Sequence, residues 1–427
     1  MQAHIEPVPG PLNGQMHVPG SKSITNRALI CASLARGTSE LVNASISDDT
    51  ALLVNGLNLL GVLARVSRDR LIVEGQGGRL TGPKLPIPVG NAGTTFRFLL
   101  SAAALATGTT RFELSPRMAE RPIDDLIDAL SQLGVSVTRD VSGLFVSVQG
   151  GGIRGGTAVM RGDRSSQFLS SLLLASPLAL GDVTLVLEGP LASEPYVRMT
   201  CAVAQSFGAQ IIATASGTVR FDVRARQSYH GRQFEVEPDA SGASYPFAAA
   251  GIAGGRMSVE GLHARSMQGD AGFLDVLASM GCAVHESSEG VAVERTGVLT
   301  GVDVDMNAMP DVVPTLAGLA LFAEGPTRIR NVGHLRFKES NRLETLAGEL
   351  RKLGARIDIE EDGLTVHPGP LHGSSVSAHD DHRLAMVFAL LGLKVPGIII
   401  EGAECVKKSF PTFWDELQSI TAVRLTE

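Results

Sequence analysis

The sequence predicts an α/β protein of two similar domains, each built from three repeats in which buried helices are wrapped by sheets. Three observations predict it. A polar or charged cluster opens an Ala- and Leu-rich helix six times, at residues 21, 91, 165, 240, 310 and 380, roughly every 70 to 75 residues. These helices are nearly all apolar, as in FRFLLSAAALA, and a helix apolar on every side is a buried one. The second half of the repeat is an amphipathic helix that ends in Gly and runs into a strand, so it must lie outside the first.

In chain order the six openings read SKSITNRALICASLA, NAGTTFRFLLSAAALA, SSQFLSSLLLASPLA, ASGASYPFAAAGIAG, PDVVPTLAGLALFA and DDHRLAMVFALLGL. The second helices include RPIDDLIDALSQLGVSVT, whose Leu126, Leu130 and Leu133 fall at helical spacing. Gly134, Gly208, Gly281 and Gly354 stand just past the ends of four of them, where positive φ is needed. VSVTRDVSGLFVSVQG and ARIDIEEDGLTVHPG then read as hairpins with Ser-Gly and Asp-Gly turns. The repeat is thus helix, strand, helix, hairpin. The midpoint falls near residues 230–240, in QSYHGRQFEVEPD, which gives one domain over 20–236 and a second over 237–427. GQMHV near the start is strand-like and could close either half; residues 1–19 are assigned with the second domain.

With 427 residues, 44% hydrophobic and 19% charged, the chain has the composition of a folded protein with ample core volume. A net charge of −7 argues against a nucleic-acid partner, so any anionic ligand needs a local basic cluster. The four cysteines lack metal-ligand spacing and read as buried thiols of a reducing compartment. The N-terminus lacks signal-peptide regions and no apolar run reaches membrane-spanning length, so the expected location is the cytoplasm, with no membrane partner.

Three of the six helix openings carry Lys, Arg or His. A helix N-terminus already presents free N–H groups and partial positive charge, so added cations make an anion site. In PGSKSITNR, Lys22 opens the helix, Ser23 follows and Arg27 lies about one turn on; Ser21 separates Gly from Lys, so no nucleotide-binding loop is indicated. NAGTTFR offers Asn91, Gly93 and Arg97, and PRMAERP places Arg117 and Arg121 in a loop before a helix expected to begin at Pro122. Ser165, Ser166 and Gln167 form a neutral donor cluster that also suits an N-cap. Asp311 precedes an apolar helix, where it could serve as an N-cap. FKESNRLE brings Lys338, Glu339 and Arg342 together but also fits a solvated face. The contiguous DDHR contains Arg383, a cation that repels metal, so no metal site is expected. CVKKSFP supplies Lys407 and Lys408. Cations at so many helix starts are tolerable together only around highly anionic substrates, and Asp311, Glu339 and His382 stand out among them as proton-transfer groups.

PGSKSITNRAL, NAGTTFR, PRMAERPI, SSQFLS, PDVVPT, FKESNRL, DDHRLAM and KKSFPTF, in this order from about Pro9 to Leu417, resemble the motifs of the 5-enolpyruvylshikimate-3-phosphate (EPSP) synthase family, the 3-phosphoshikimate 1-carboxyvinyltransferases. The resemblance implies two domains of three βαβαββ-type units, an inside-out α/β barrel arrangement, with the active site in the interdomain cleft. It implies transfer of the enolpyruvyl group of phosphoenolpyruvate to the 5-hydroxyl of shikimate 3-phosphate, with release of phosphate, in the shikimate pathway of aromatic amino acid biosynthesis. No metal or organic cofactor is implied, and the protein is expected as a monomer that closes on its substrates.

Residue by residue, the resemblance places Lys22, Arg121, Gln167, Arg342, Arg383 and Lys408 around phosphoenolpyruvate, with Arg342 and Arg383 on its carboxylate and Lys22, Arg121 and Lys408 on its phosphate. Ser23, Arg27, Ser165, Ser166, Ser193, Tyr196 and Lys338 resemble the shikimate phosphate pocket. Asn91 and Gly93 resemble the loop where glyphosate competes with phosphoenolpyruvate, and Arg97 follows in the same motif. Asp311 is the expected base for the attacking hydroxyl, Glu339 with Lys22 the expected handler of the methylene proton, and His382 an orienting group. Thr95, Phe96, Phe98 and His334 depart from the family pattern. Three rival functions fit parts of the same pattern. A UDP-N-acetylglucosamine enolpyruvyl transferase usually carries a reactive Cys in the loop matching 112–122, and FELSPRMAERP has none. A non-catalytic phosphometabolite-binding protein on the same scaffold would be expected to lose Asp311 or Glu339. An RNA 3′-phosphate cyclase is disfavoured by net charge and the lack of a nucleotide motif.

Overall fold

A computed structural model describes residues 1–214 and 219–426. The chain forms two compact units, one of Lys22–Val236, the other of Met1–Ser21 with Glu237–Glu427. Each contains three four-stranded sheets among the described residues.

In the Lys22–Val236 unit the sheet logic is plainest in the third repeat. Gly156–Arg161 pairs in parallel with Val183–Glu188, in the register Ala158 to Leu185, and the crossover between them is the buried helix Ser166–Ala175. Arg220–Val223 and Ile212–Thr214 complete the sheet as an antiparallel pair, after the amphipathic helix Glu194–Ser206. Ile87–Gly90 and Thr109–Leu114 repeat this around the helix Gly93–Ala103. The first repeat borrows its leading strand: Gln233–Glu235, from the segment expected only as a midpoint, pairs in parallel with Arg36–Val42.

The other unit borrows in a different way. Leu12–Gln15 is the leading strand for Gly255–Glu260, so the expected strand GQMHV begins two residues earlier and stops at Gln15. Gln2–Ile5, which the sequence reading did not single out, inserts antiparallel between Ile399–Glu401 and Val423–Thr426 and completes the last sheet.

The apolar helices are buried as expected. All of Ala240–Ala253 is buried, and so is all of His382–Gly392. Their small residues let the axes approach: a Cβ at Gly251 would lie 2.7 Å from a Leu319 methyl, and one at Gly318 2.7 Å from a Val387 methyl. The amphipathic helices stop where expected, with φ between 81° and 102° at Gly134, Gly208, Gly281 and Gly354. One boundary is corrected. PRMAERP is not a plain loop: Pro116–Glu120 is a short helix with Pro116 at its first turn and Ser115 capping Met118, and the next helix starts at Asp124 rather than Pro122. Cys31 and Cys282 are buried thiols, whereas Cys201 and Cys405 are half-buried. No described helix is long and apolar enough to cross a membrane.

Candidate active site

In the Lys22–Val236 unit the predicted residues gather at the starts of the three buried helices and of the amphipathic helix Glu194–Ser206. Lys22 is the first residue of its helix, where an unpaired cation opposes the helix dipole. Its ammonium meets the Asp49 carboxylate at 2.9 Å, and both side chains are largely buried. Asp49 is not marked by any of the sequence motifs; it lies in the acidic first turn of the helix Asp48–Leu59. Thr95 donates to the Asp49 carbonyl at 2.8 Å, which ties the Asn91 loop to the Lys22 partner and gives the unusual Thr95 a purpose.

Arg121 donates to the Asn91 carbonyl at 3.2 Å and to the Asn91 side-chain oxygen at 3.4 Å. It crosses directly over Gly93: a Cβ there would sit 2.6 Å from an Arg121 nitrogen. Arg97 is buried, lies 5.0 Å over the Phe168 ring, and donates to the Gln167 side-chain oxygen and, at 3.1 Å, to the Pro122 carbonyl. Gln167 in turn donates to Thr94 at 3.0 Å. Arg97 therefore orients Gln167. Of the Ser165, Ser166 and Gln167 cluster, Ser165 is the N-cap, accepting from the Gln167 backbone amide at 3.3 Å, and Ser166 is buried beside it.

Arg27 is buried and makes four hydrogen bonds: to Thr200 at 2.7 Å, the Ser23 carbonyl at 2.8 Å, the Tyr196 carbonyl at 3.1 Å and Ser170 at 3.4 Å. Its guanidinium carbon lies 5.4 Å from the Phe98 ring and 5.8 Å from Tyr196, so the unusual Phe98 is one wall of its slot. Burial pulls its pKa down to about 10. With four donors committed, Arg27 in this arrangement joins three helices and reaches a ligand with one N–H at most. Ser193 is buried in a left-handed conformation (φ 55°) just before the helix that carries Tyr196.

In the other unit Glu339 and Arg342 join an acidic and basic network, not the solvated face that FKESNRLE also fitted. Arg342 is 1% exposed and makes four hydrogen bonds to three carboxylates. Nε and Nη2 reach Asp381 at 2.9 and 3.2 Å, Nη2 also reaches Glu339 at 2.7 Å, and Nη1 reaches Asp311 at 3.3 Å. Arg383 donates to the other Asp311 oxygen at 2.6 Å. Asp311 lies in a short 3-10 turn and caps nothing; Val312 holds the N-cap position, and the Asp311 side chain is spent on the two arginines. Asp381, to which the sequence reading gave no role, is the N-cap of the helix His382–Gly392 and binds the Arg383 amide at 3.1 Å while gripping Arg342.

These contacts set the charge states. Burial pushes the Asp311 carboxyl up, but Arg383, Lys338 and Arg342 outweigh it and hold it well below the usual carboxylate range. Burial also lowers Arg342, and Asp381, Glu339 and Asp311 more than reverse that. His334 is pushed down to about 3 by burial and by Lys338, so it is neutral at pH 7. Asp270, fully buried and hydrogen-bonded by Ser241, is pushed up to about 7 by burial and by Asp311. His382 and Lys408 are buried, one at the first turn of its helix, the other ending the 3-10 turn Ala403–Lys408 that packs against that helix. No group of His, Cys, Asp and Glu suited to a metal ion occurs among the described residues.

Each unit thus carries a buried, highly charged cluster on its helix starts, drawn from the motifs in their expected order. The family model for EPSP synthase (3-phosphoshikimate 1-carboxyvinyltransferase) matches residues 7–417. The chain belongs to the EPSP synthase family. The 3-phosphoshikimate 1-carboxyvinyltransferase of Methanoculleus marisnigri is 44% identical over 410 residues, 96% of this chain and 97% of that one. Its counterpart from Syntrophobacter fumaroxidans is 43% identical over 424 residues, 98% of this chain and 100% of that one. A solved structure of EPSP synthase from Acinetobacter baumannii shares the fold, with a TM-score of 0.81 over 100% of both chains at 24% identity. As the resemblance implied, the fold is that of EPSP synthases, and the chain is an enzyme of that class rather than the UDP-N-acetylglucosamine transferase weighed against it.

Proposed function

We propose that the two clusters divide one reaction, the transfer of the 1-carboxyvinyl group from phosphoenolpyruvate to the 5-hydroxyl of shikimate 3-phosphate. The donor's methylene carbon takes a proton, the hydroxyl oxygen bonds to its C2, and a tetrahedral adduct forms. Loss of a methyl proton and of phosphate from that adduct leaves the enol ether. Every step moves negative charge, so preorganised cations supply most of the stabilisation.

Lys22, Arg121 and Lys408 are assigned to the donor phosphate, with Gln167 held ready by Arg97. Arg342 and Arg383 are assigned to its carboxylate, which the planar guanidinium suits. Ser23, Ser165, Ser166, Ser193, Tyr196 and Lys338 are assigned to shikimate 3-phosphate, with Arg27 shaping the pocket they line. Asp311 takes the hydroxyl proton, Glu339 with Lys22 handles the methylene proton, and His382 orients the reacting centre. Asn91 and Gly93 seat Arg121.

The observation that carries this reading is the Arg383–Asp311–Arg342 bridge. With both arginines on it, Asp311 is a poor base. A substrate carboxylate arriving on Arg342 and Arg383 competes for those N–H groups and raises the basicity of Asp311 when the donor is bound. The test is phosphate release from phosphoenolpyruvate with shikimate 3-phosphate, and with UDP-N-acetylglucosamine as control. Release with the first acceptor alone, abolished in Asp311→Ala, is expected; release with the control alone refutes the reading.

A further inference from the structure

We propose that Glu349 is a positioning residue for the carboxylate-binding arginines, acting through the turn that leads into Asp381, His382 and Arg383. The inference rests on the assignment of Arg342 and Arg383 to the donor carboxylate.

Glu349 lies on the helix Arg342–Arg351, seven residues after Arg342, so both project from one face. It is buried, which is rare for a carboxylate without partners. The partners are present. One oxygen accepts the Ser377 amide at 2.9 Å and the Lys352 ammonium at 2.7 Å. The other faces His379 Nε2 at 2.8 Å and the same ammonium at 2.9 Å. Ser377 ends a strand and His379 begins the turn, so the carboxylate holds the turn at its entrance. Arg342, on the same helix face, holds the exit through Asp381.

The residues between these two clamps are strained. His379 and Asp380 have φ of 50° and 55°, consecutive left-handed conformations in residues that have a Cβ. Such a pair persists only where the surroundings over-determine it. Glu349 supplies that constraint, with a bond to the strained His379 side chain and a second to the backbone just before it. Released, the turn relaxes toward ordinary φ and displaces Asp381, the shared anchor of Arg342 and of the Arg383 amide. Lys352 touches the carboxylate but not the turn, which makes it the internal control.

The test compares Glu349→Ala, Glu349→Gln, His379→Ala and Lys352→Ala with the full-length wild type. Glu349→Ala should raise KM for phosphoenolpyruvate on the order of ten- to a hundredfold, the effect of a small misplacement, while KM for shikimate 3-phosphate stays near wild type. Glu349→Gln, which keeps an acceptor for the Ser377 amide, should fall between, His379→Ala should shift the same KM, and Lys352→Ala should not. Amide hydrogen exchange across residues 378–383 should rise in Glu349→Ala. A Glu349→Ala protein of lowered Tm with unchanged KM for phosphoenolpyruvate, or unchanged exchange in that turn, overturns the inference. If Glu349→Ala does not fold, Glu349→Gln and His379→Ala carry the same two readouts. A wild type inactive on these substrates sinks the functional reading instead, and the exchange of the turn still decides the role of Glu349.

Discussion

Replacing Asp381 by Asn removes one negative charge from a site with no solvent exposure. The two carboxylate oxygens now accept from Arg342 Nε at 2.9 Å, Arg342 Nη2 at 3.2 Å, Ser340 at 3.3 Å and the Arg383 amide at 3.1 Å. The Asn oxygen can keep the cap on the Arg383 amide, but its NH2 then faces the Nε–H of Arg342, donor against donor. Breaking a buried ion pair from one side costs about 3–5 kcal/mol. Arg342 retains Glu339 and Asp311, which places the cost near the lower end, about 3 kcal/mol. For a unit of this size that corresponds to a Tm lower by roughly 6–12 °C. The assay is thermal unfolding followed by circular dichroism, with KM for phosphoenolpyruvate measured at a temperature where both proteins are folded. Arg161→Ala, which removes the exposed pair with Asp163, is the control and should leave Tm unchanged. An Asp381→Asn protein with wild-type Tm and wild-type KM for phosphoenolpyruvate would refute the view that this carboxylate organises both arginines.

Gly93→Ala should fold normally yet raise KM for phosphoenolpyruvate in steady-state assays, because its methyl lands 2.6 Å from the Arg121 guanidinium and must displace it; unchanged KM contradicts that. Asp49→Ala should lower kcat/KM with little change in global fold by circular dichroism, since Lys22 loses the partner that fixes it at 2.9 Å; wild-type kcat/KM would show that Lys22 needs no such guide. His334 titrates near 6.5 when unfolded and at about 3 when folded, so its contribution to stability is complete above pH 6.5 and is lost as pH falls toward 3. From pH 7 to 5 that loss is about 1 to 2 kcal/mol, and urea unfolding of His334→Asn should show a correspondingly smaller drop than wild type.

The repeat architecture was legible because the buried helices are apolar on every side and four of the outer helices end on a Gly. What escaped were the elements made by distant chain. Gln2–Ile5 and Gln233–Glu235 are short strands whose partners lie far away in sequence, so no local period marks them. The cations of the site were legible as motifs at helix starts. Their carboxylate partners were harder: Asp49 and Asp381 sit at helix starts as ordinary capping residues do, and only the fold shows that they bind Lys22 and Arg342. Arg27 illustrates the converse. Its place in the motif suggested a phosphate ligand, whereas the Ser23 carbonyl one turn back and Thr200, Ser170 and the Tyr196 carbonyl, the last three not predictable from spacing, take most of its donors.

That cations of both units serve a single donor molecule, as proposed above, is the claim most open to direct challenge. Arg121→Ala alters one half and Arg383→Ala the other, so the decisive measurement is kcat/KM for phosphoenolpyruvate in both, at saturating shikimate 3-phosphate. Each should fall on the order of a hundredfold or more while the circular dichroism spectrum stays that of the wild type. Wild-type kcat/KM in either folded variant contradicts the account.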